Sequence, residues 1–457
     1  MSEASPVDRQ PTWAEQFGFK RLFSSFRHAN NINKLILSFC GVVLTYSWGR
    51  LLDLVWVTSH KVAVGVGMTE AAIFVASGGN RPETIEWIKS LGSDAERSGV
   101  FAVLLSHLLT SVNQLISAVL SVSPDAFLAG IRNFVLTLIW LVSLHPVYAL
   151  FFVIGSLKIW ALFGGAISRA AALDAARQER ITIAEAMSFA WSKWLSFVMA
   201  PLLPISIALV AGAAIFLMGL IGWIPYIGEV IVGIFLLPIA ILLGIAVALF
   251  AIGLVGAIGL IYPNIAVEGS DCFDPLGRLH SYVFYRPWRT AVYYLCVMAH
   301  GAVCLAFIKL VARLALWVAH LFLGFSMNWG SPSLASESSQ NVSKLNAIWQ
   351  TPALTGETTF YGSFGEVELA GMSAFAQFFF KCWIYGVWGI VGAYAMSYFF
   401  CANTNIYLLL RREVDMTDVE DVYLDDDATA AASIAAPAES GDKPNGSGGV
   451  SLPVVGS

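Results

Sequence analysis

Long apolar runs broken by short polar segments dominate the pattern along this chain. Runs at 35–57, 131–157, 195–222, 229–262, 290–312 and 378–402 reach the roughly 20 apolar residues that cross a bilayer as a helix. The pattern predicts an all-α fold, a polytopic transmembrane helical bundle of about six spans. Pro201, Pro204, Pro238 and the Gly253/Gly256/Gly259 series lie inside these runs. A membrane helix tolerates them where neighbouring helices satisfy the freed backbone groups. Trp191, Trp194, Trp223, Tyr226, Tyr282, Tyr285 and Trp288 gather at run ends, where aromatic residues meet the water interface.

One further stretch, 100–122, is long enough to span but reads differently. Its Ser106, Thr110, Gln114, Ser117 and Ser121 recur every three to four residues and lay a polar stripe on one helical face. The preferred reading is an amphipathic helix on the outer surface, or one tucked against the bundle, rather than an extra span.

Three polar segments share a layout: TWAEQFGFKRLFSSFR from Thr12, TIAEAMSFAWSKW from Thr182, and SDCFDPLGRLHSYVFYRPWR from Ser270. Each opens with Ser or Thr near an acid, continues as a short amphipathic helix, and ends in aromatic and basic residues before a span. Thr12 with Glu15, and Thr182 with Glu185, fit a capping box. In the third, Ser270 or Asp271 is the candidate cap and Pro275 falls in the first turn. Two spans follow each segment, so the layout predicts a threefold repeat of interfacial helix plus transmembrane hairpin. The domain plan is an N-terminal segment with an interfacial helix (1–34), a transmembrane helical domain (35–412) with outer-side insertions at 58–130 and 326–370, and an acidic tail (413–457). The tail begins EVDMTDVEDVYLDDD and becomes low-complexity, a composition expected to stay solvated and disordered.

Composition agrees: 57% of residues are apolar and only 12% charged. Segments 1–34, 167–194, 263–290 and 403–457 together hold 15 Lys and Arg, against 5 in 58–99, 223–228 and 326–370. The positive-inside rule then predicts a multi-pass protein of the cell inner membrane with both termini cytoplasmic. The first 30 residues show no cleavable signal, so the first span is expected to act as an uncleaved anchor. The net charge of −5 owes much to the tail, and no basic domain or nucleic-acid motif implies a nucleic-acid partner. Cys40, Cys272, Cys296, Cys304, Cys382 and Cys401 avoid long polar loops, which argues against a disulfide framework.

Few residues suggest chemistry. Arg50 and Asp53, three apart on one helix face, read as a local neutralising pair or, with Lys381, as members of a polar path. Lys309 and Arg313 read as snorkelling side chains. Cys296, His300 and Cys304 share a helical face, but ligands eight residues apart lie roughly 12 Å apart, too far for one metal ion. Arg278, Arg286, Trp288 and Arg289 are candidates for gripping anionic lipid headgroups, since each basic residue at such a surface contributes about 1 kcal/mol. No GxSxG, HExxH, Walker A or dinucleotide fingerprint occurs. No catalytic, cofactor or metal residue is therefore expected, and the chain does not read as an enzyme.

The stretches YPNIAVEGSDCFDPLGRLHSYVFYRPWR (262–289) and NTNIYLLLRREVDMTDVEDVYL (403–424) resemble uncharacterised bacterial inner-membrane proteins of planctomycete type. More distantly, they are similar to the membrane domain found beside some glycerophosphodiester phosphodiesterases. The resemblance covers about 182–424 and does not extend to a phosphodiesterase catalytic barrel. It implies a helical membrane protein without assigned activity, whose partners are the lipid bilayer and its headgroups. The expected function is a non-enzymatic component organising a membrane or envelope assembly. The alternative is a transporter or channel for a lipid or small solute, with a lipid-acting membrane enzyme third.

Overall fold

The computed structural model describes residues 18–57, 61–65, 67–92, 96–328, 334–335, 341–342, 344–352, 364 and 372–424. Two short helices, α1 (Phe19–Phe23) and α2 (Ser25–Ala29), lead into α3 (Ile32–Val55), whose N-terminus Asn31 caps with its side chain on the Asn33 amide. We call the end of the bundle at Ile32 proximal and the end at Val55 distal. A small distal module follows. Strand β1 (Val62–Gly65) pairs antiparallel with β2 (Met68–Thr69) and β3 (Glu96–Ser98), beside helices α4 (Glu70–Ala76) and α5 (Arg81–Ser90). The chain then runs through α6 (Val100–Leu120), α7 (Pro124–Leu144) and α8 (Pro146–Arg177).

The C-terminal half holds α9 (Ile183–Ser192), α10 (Trp194–Leu220) and α11 (Ile227–Glu268), a long helical run with a π turn at Val232–Leu236 and a 3-10 turn at Ile258–Leu260. Then come α12 (Asp274–Tyr285), α13 (Pro287–Asn328), a two-stranded pair β4 (Leu334–Ala335) and β5 (Asn341–Val342), α14 (Lys344–Ile348) and α15 (Met372–Val414). Among the described residues, eight helices are long and apolar enough to cross a membrane: α3, α6, α7, α8, α10, α11, α13 and α15. This is an all-α bundle with little sheet.

The largest core cluster sits at the proximal end, where α8 and α15 pack against α3, α9, α10, α13 and the last turns of α11, and a smaller one around Phe74, Phe101, Trp140 and Tyr148 lies at the distal end. Glycines permit the closest approaches. A Cβ on Gly155 would lie 2.1 Å from the Trp48 indole nitrogen, and one on Gly165 would lie 2.8 Å from the Phe197 ring. The hairpin α10–α11 is the opposite case. None of its most apolar windows is buried against protein, although their mean hydropathies reach 2.4 and 3.0.

Two expectations change. The stretch 131–157 is not one helix: α7 ends at Leu144 and α8 starts at Pro146, with His145 between them. Proline has no N–H to continue the ladder and suits a first helical turn. The stretch 100–122 takes one of its two expected placements, against the bundle. It forms α6, a 21-residue helix paired with α7 and packed on α3 and α13. Its stripe residues Ser106, Thr110, Gln114, Ser117 and Ser121 stay exposed; Thr110 Oγ1 donates to the Ser106 carbonyl and Asn133 Nδ2 to Gln114 Oε1, and beside the stripe Lys309 Nζ donates to Asn113 Oδ1. The bundle also extends past 412. Val414, Val419 and Val422 pack on the core, and Arg177 and Arg411 donate to the carbonyls of Glu420 and Asp421. Residues 413–422 are therefore ordered by apolar contact and ion pairing. The rest of the tail, 425–457, lies outside the described residues, as does the Thr12–Glu15 capping box.

Of the other two short helices, only α9 forms its expected cap. Thr182 and Glu185 form a complete capping box at the start of α9. Helix α12 has Pro275 in its first turn, but Phe273 occupies its cap position and neither Ser270 nor Asp271 caps it.

Candidate functional site

The proximal end concentrates the buried polar chemistry. Lys34 lies in the first turn of α3, 1% exposed, and Asp174 in the last turn of α8. Lys34 Nζ donates to Asp174 Oδ2 at 2.6 Å, and His28 Nδ1 lies 2.9 Å from the same oxygen. Helix α2, which carries His28, is fastened to α15: Ser397 Oγ donates to the Ala29 carbonyl at 2.8 Å, and Asn405 Nδ2 to Ser25 Oγ at 2.7 Å. The Lys34–Asp174 ion pair, with His28 beside it, is thus closed by backbone and side-chain bonds on both flanks, as a buried ion pair must be to offset its desolvation.

A second network joins α11, α12 and α15. Asn264 Nδ2 donates to Tyr407 Oη at 3.0 Å, and Tyr407 donates to Glu268 Oε1 at 2.8 Å. Glu268 also meets Arg411, 2.7 Å away, and Arg278, 3.3 Å away. Arg278 pairs further with Asp274 and Asp415, and Tyr282 donates to Asp415. Burial works against the Arg278 charge, yet Tyr407, Glu268 and Asp274 outweigh it and raise the guanidinium pKa. Burial, reinforced by the Asp415 carboxylate, raises that of the Tyr282 phenol.

Above the triad opens a recess of about 590 Å³, lined by Gly18, Lys20, Arg21, Ser24, Arg27, His28, Asp174, Gln178, Leu409 and Arg412. Its one lining carboxylate, Asp174, is already held by Lys34 and His28. Arg21 is half-buried there; burial, and then the like charge of Arg412, lower its pKa. A neighbouring recess of about 490 Å³, lined by Arg286, Arg289, Arg412, Glu413 and Met416, shares Arg412.

The distal end has two compact polar knots. Asp53 accepts from the Phe101 amide at 2.9 Å and the Ala102 amide at 3.2 Å, capping α6 from a different helix. Tyr148 Oη donates to the same carboxylate at 2.9 Å. Glu70, 2% exposed, accepts from the Ala63 amide at 3.1 Å and Trp140 Nε1 at 3.2 Å, and meets His145 Nε2 at 2.6 Å.

The residues singled out from sequence are dispersed. Arg278 is engaged by three carboxylates, and Arg289 pairs with Glu413 at 2.8 Å. Arg286 and Trp288 are exposed. Asp53 turns to α6 and Tyr148, while Arg50 is exposed on the same helix. Lys381 sits half-buried on α15 with its ammonium 5.3 Å from the Phe364 ring centroid, a cation–π distance. Nothing joins it to Arg50 or Asp53 among the described contacts. His300 Nδ1 lies 2.9 Å from Tyr398 Oη, and Cys304 Sγ lies 3.5 Å from His300 Nε2. Sequence reading missed Lys34, Asp174, Glu70 and the Arg21/Arg412 pair. The available signal was Asp174 itself, an acid within the small-residue run AAALDAA, a composition that suits close helix packing.

These features define a multi-pass α-helical membrane protein. Compared with family models, curated proteins and solved structures, the chain gives no match.

Proposed function

We propose that this protein is a non-catalytic organising component of a bacterial inner membrane, with a basic cytoplasmic face built from its proximal end. The observation that carries the reading is that charges inside the bundle are bound to one another rather than aligned along a passage. Lys34, Asp174 and His28 close a triad, Arg411 and Glu268 pair, and Lys309 bonds Asn113. Arg50, Asp53 and Lys381, the sequence candidates for a polar path, do not converge. The competing reading, a transporter or channel, draws on the polar contacts of α6 with α7 and α13, which are already satisfied pairwise. Proteoliposomes loaded with a small self-quenching dye are expected to leak no faster than protein-free vesicles. Protein-dependent release would favour the transporter.

In this reading all eight long helices cross. An even number keeps both termini on one side, and the α6–α7 turn at 121–123 carries no Lys or Arg, so the basic bias still points to the cytoplasm. The threefold layout also gains support. The units are α2 with α3 and α8, α9 with α10 and α11, and α12 with α13 and α15; the first holds the distal module and the α6–α7 hairpin as an insertion. Single cysteines test the topology in intact cells. A cysteine at Ser90 should label from outside, whereas those at Ser123 and Ser281 should not. Outside labelling at Ser123 would return α6 and α7 to the outer surface.

A further inference from the structure

We propose that the recess ringed by Lys20, Arg21, Arg27 and Arg412 binds the phosphate of an anionic phospholipid headgroup. The inference rests on the eight-crossing reading, which sets the recess at headgroup depth, just beyond the apolar stretches of α3, α8 and α15. Four fixed positive charges line it, and among the described residues none of them has an ion-pair partner. Asp174 on its wall is neutralised from behind by Lys34. Arg21 feels the like charge of Arg412, which Glu420 only partly offsets, and a phosphate placed there would turn that repulsion into two charge-assisted contacts.

The recess is built rather than incidental. Gly18 takes a left-handed φ of 59°, and a Cβ there would lie 2.6 Å from Leu409 Cδ2. The chain can therefore back closely onto α15 before turning into α1, which carries Lys20 and Arg21. Phe23, three residues from Lys20 and four from Arg27, is 52% exposed and offers acyl chains an apolar flank. The volume of about 590 Å³ admits a headgroup rather than a bare ion alone. The adjoining recess is weaker for this purpose, because Glu413 already answers Arg289.

The test uses the full chain in detergent, titrated with short-chain phosphatidylglycerol, short-chain phosphatidylcholine or inorganic phosphate, and read by native mass spectrometry. Phosphatidylglycerol should bind and phosphatidylcholine should not. The double variant R21Q/R412Q should bind phosphatidylglycerol about 30-fold more weakly, taking each basic residue at its usual contribution. K20Q/R27Q alters only exposed side chains, so it should fold normally and lose a similar factor. Lys89→Gln, exposed at the distal end, should change little. Undiminished binding by both double variants would overturn the proposal. Displacement of the lipid by micromolar phosphate would overturn the lipid source and make this a site for soluble phosphate compounds. Topology plays no part in a detergent measurement, so failure here is separable from failure of the Ser123 labelling.

Discussion

Replacing Asp174 with alanine is expected to destabilise the protein by about 3–5 kcal/mol, the usual cost of breaking a buried ion pair from one side. The reason is what remains. Lys34 is almost fully enclosed, its ammonium has Asp174 as its partner at 2.6 Å, and His28 leans on the same oxygen. Without the carboxylate, the helix ends of α3 and α8 hold an unpaired cation and a loosened α2. Replacing both ions with apolar side chains, as Lys34→Met with Asp174→Leu, should recover most of the loss, since hydrophobic isosteres of buried pairs are often neutral or better. His28→Ala alone should cost less, because Lys34 still neutralises the acid. Thermal unfolding in detergent, followed by tryptophan fluorescence, reads all three variants. A wild-type midpoint for Asp174→Ala would show that the triad does not hold the proximal end.

Asp53→Ala should be the second large effect, about 3 kcal/mol, combining a lost helix cap with a buried tyrosine hydroxyl left only its longer bond to the Gly49 carbonyl. The carboxylate serves two amides at the start of α6 and the Tyr148 phenol at the start of α8. One side chain therefore fixes where the α6–α7 hairpin joins the bundle. Glycine at 99 is part of the arrangement, since a Cβ there would lie 2.2 Å from Asp53 Oδ2. If Asp53 instead mattered through Arg50, then Arg50→Ala would be comparably damaging. Arg50 is exposed, and its replacement should stay within about 0.5 kcal/mol. A double-mutant cycle on the two positions decides the matter: coupling near zero supports the cap, and strong coupling would restore the neutralising pair.

The difference between legible and illegible features follows sequence distance. The apolar runs of α10 and α11 announce themselves, and the capping box of Thr182 and Glu185 needs only a four-residue window. Helix α6 shows its exposed polar stripe in sequence but not its tertiary partners. Thr110 and Ser111 bond back to carbonyls four residues earlier, and Asn113 reaches Lys309, 196 residues away. Hydropathy averaged over 131–157 runs straight through His145–Pro146, where the backbone breaks. Acids at 413–421 look solvated when counted alone. In the fold Glu413 answers Tyr293 and Arg289, while Asp415 answers Tyr282 and Arg278. Lys34 and Asp174, 140 residues apart, leave no local pattern at all.

That last separation bears on how the chain is made. Synthesis proceeds at about 5–20 residues per second, so Lys34 enters on the order of 10 seconds before its partner exists. A lysine at the middle of the first helix would face hydrocarbon throughout that wait. At the first turn of α3 its long side chain can reach back to the headgroup layer until α8 arrives. The placement of the charge thus reconciles an early insertion with a late embrace: the nascent helix enters as an ordinary anchor and becomes a core element only when the ribosome has delivered Asp174.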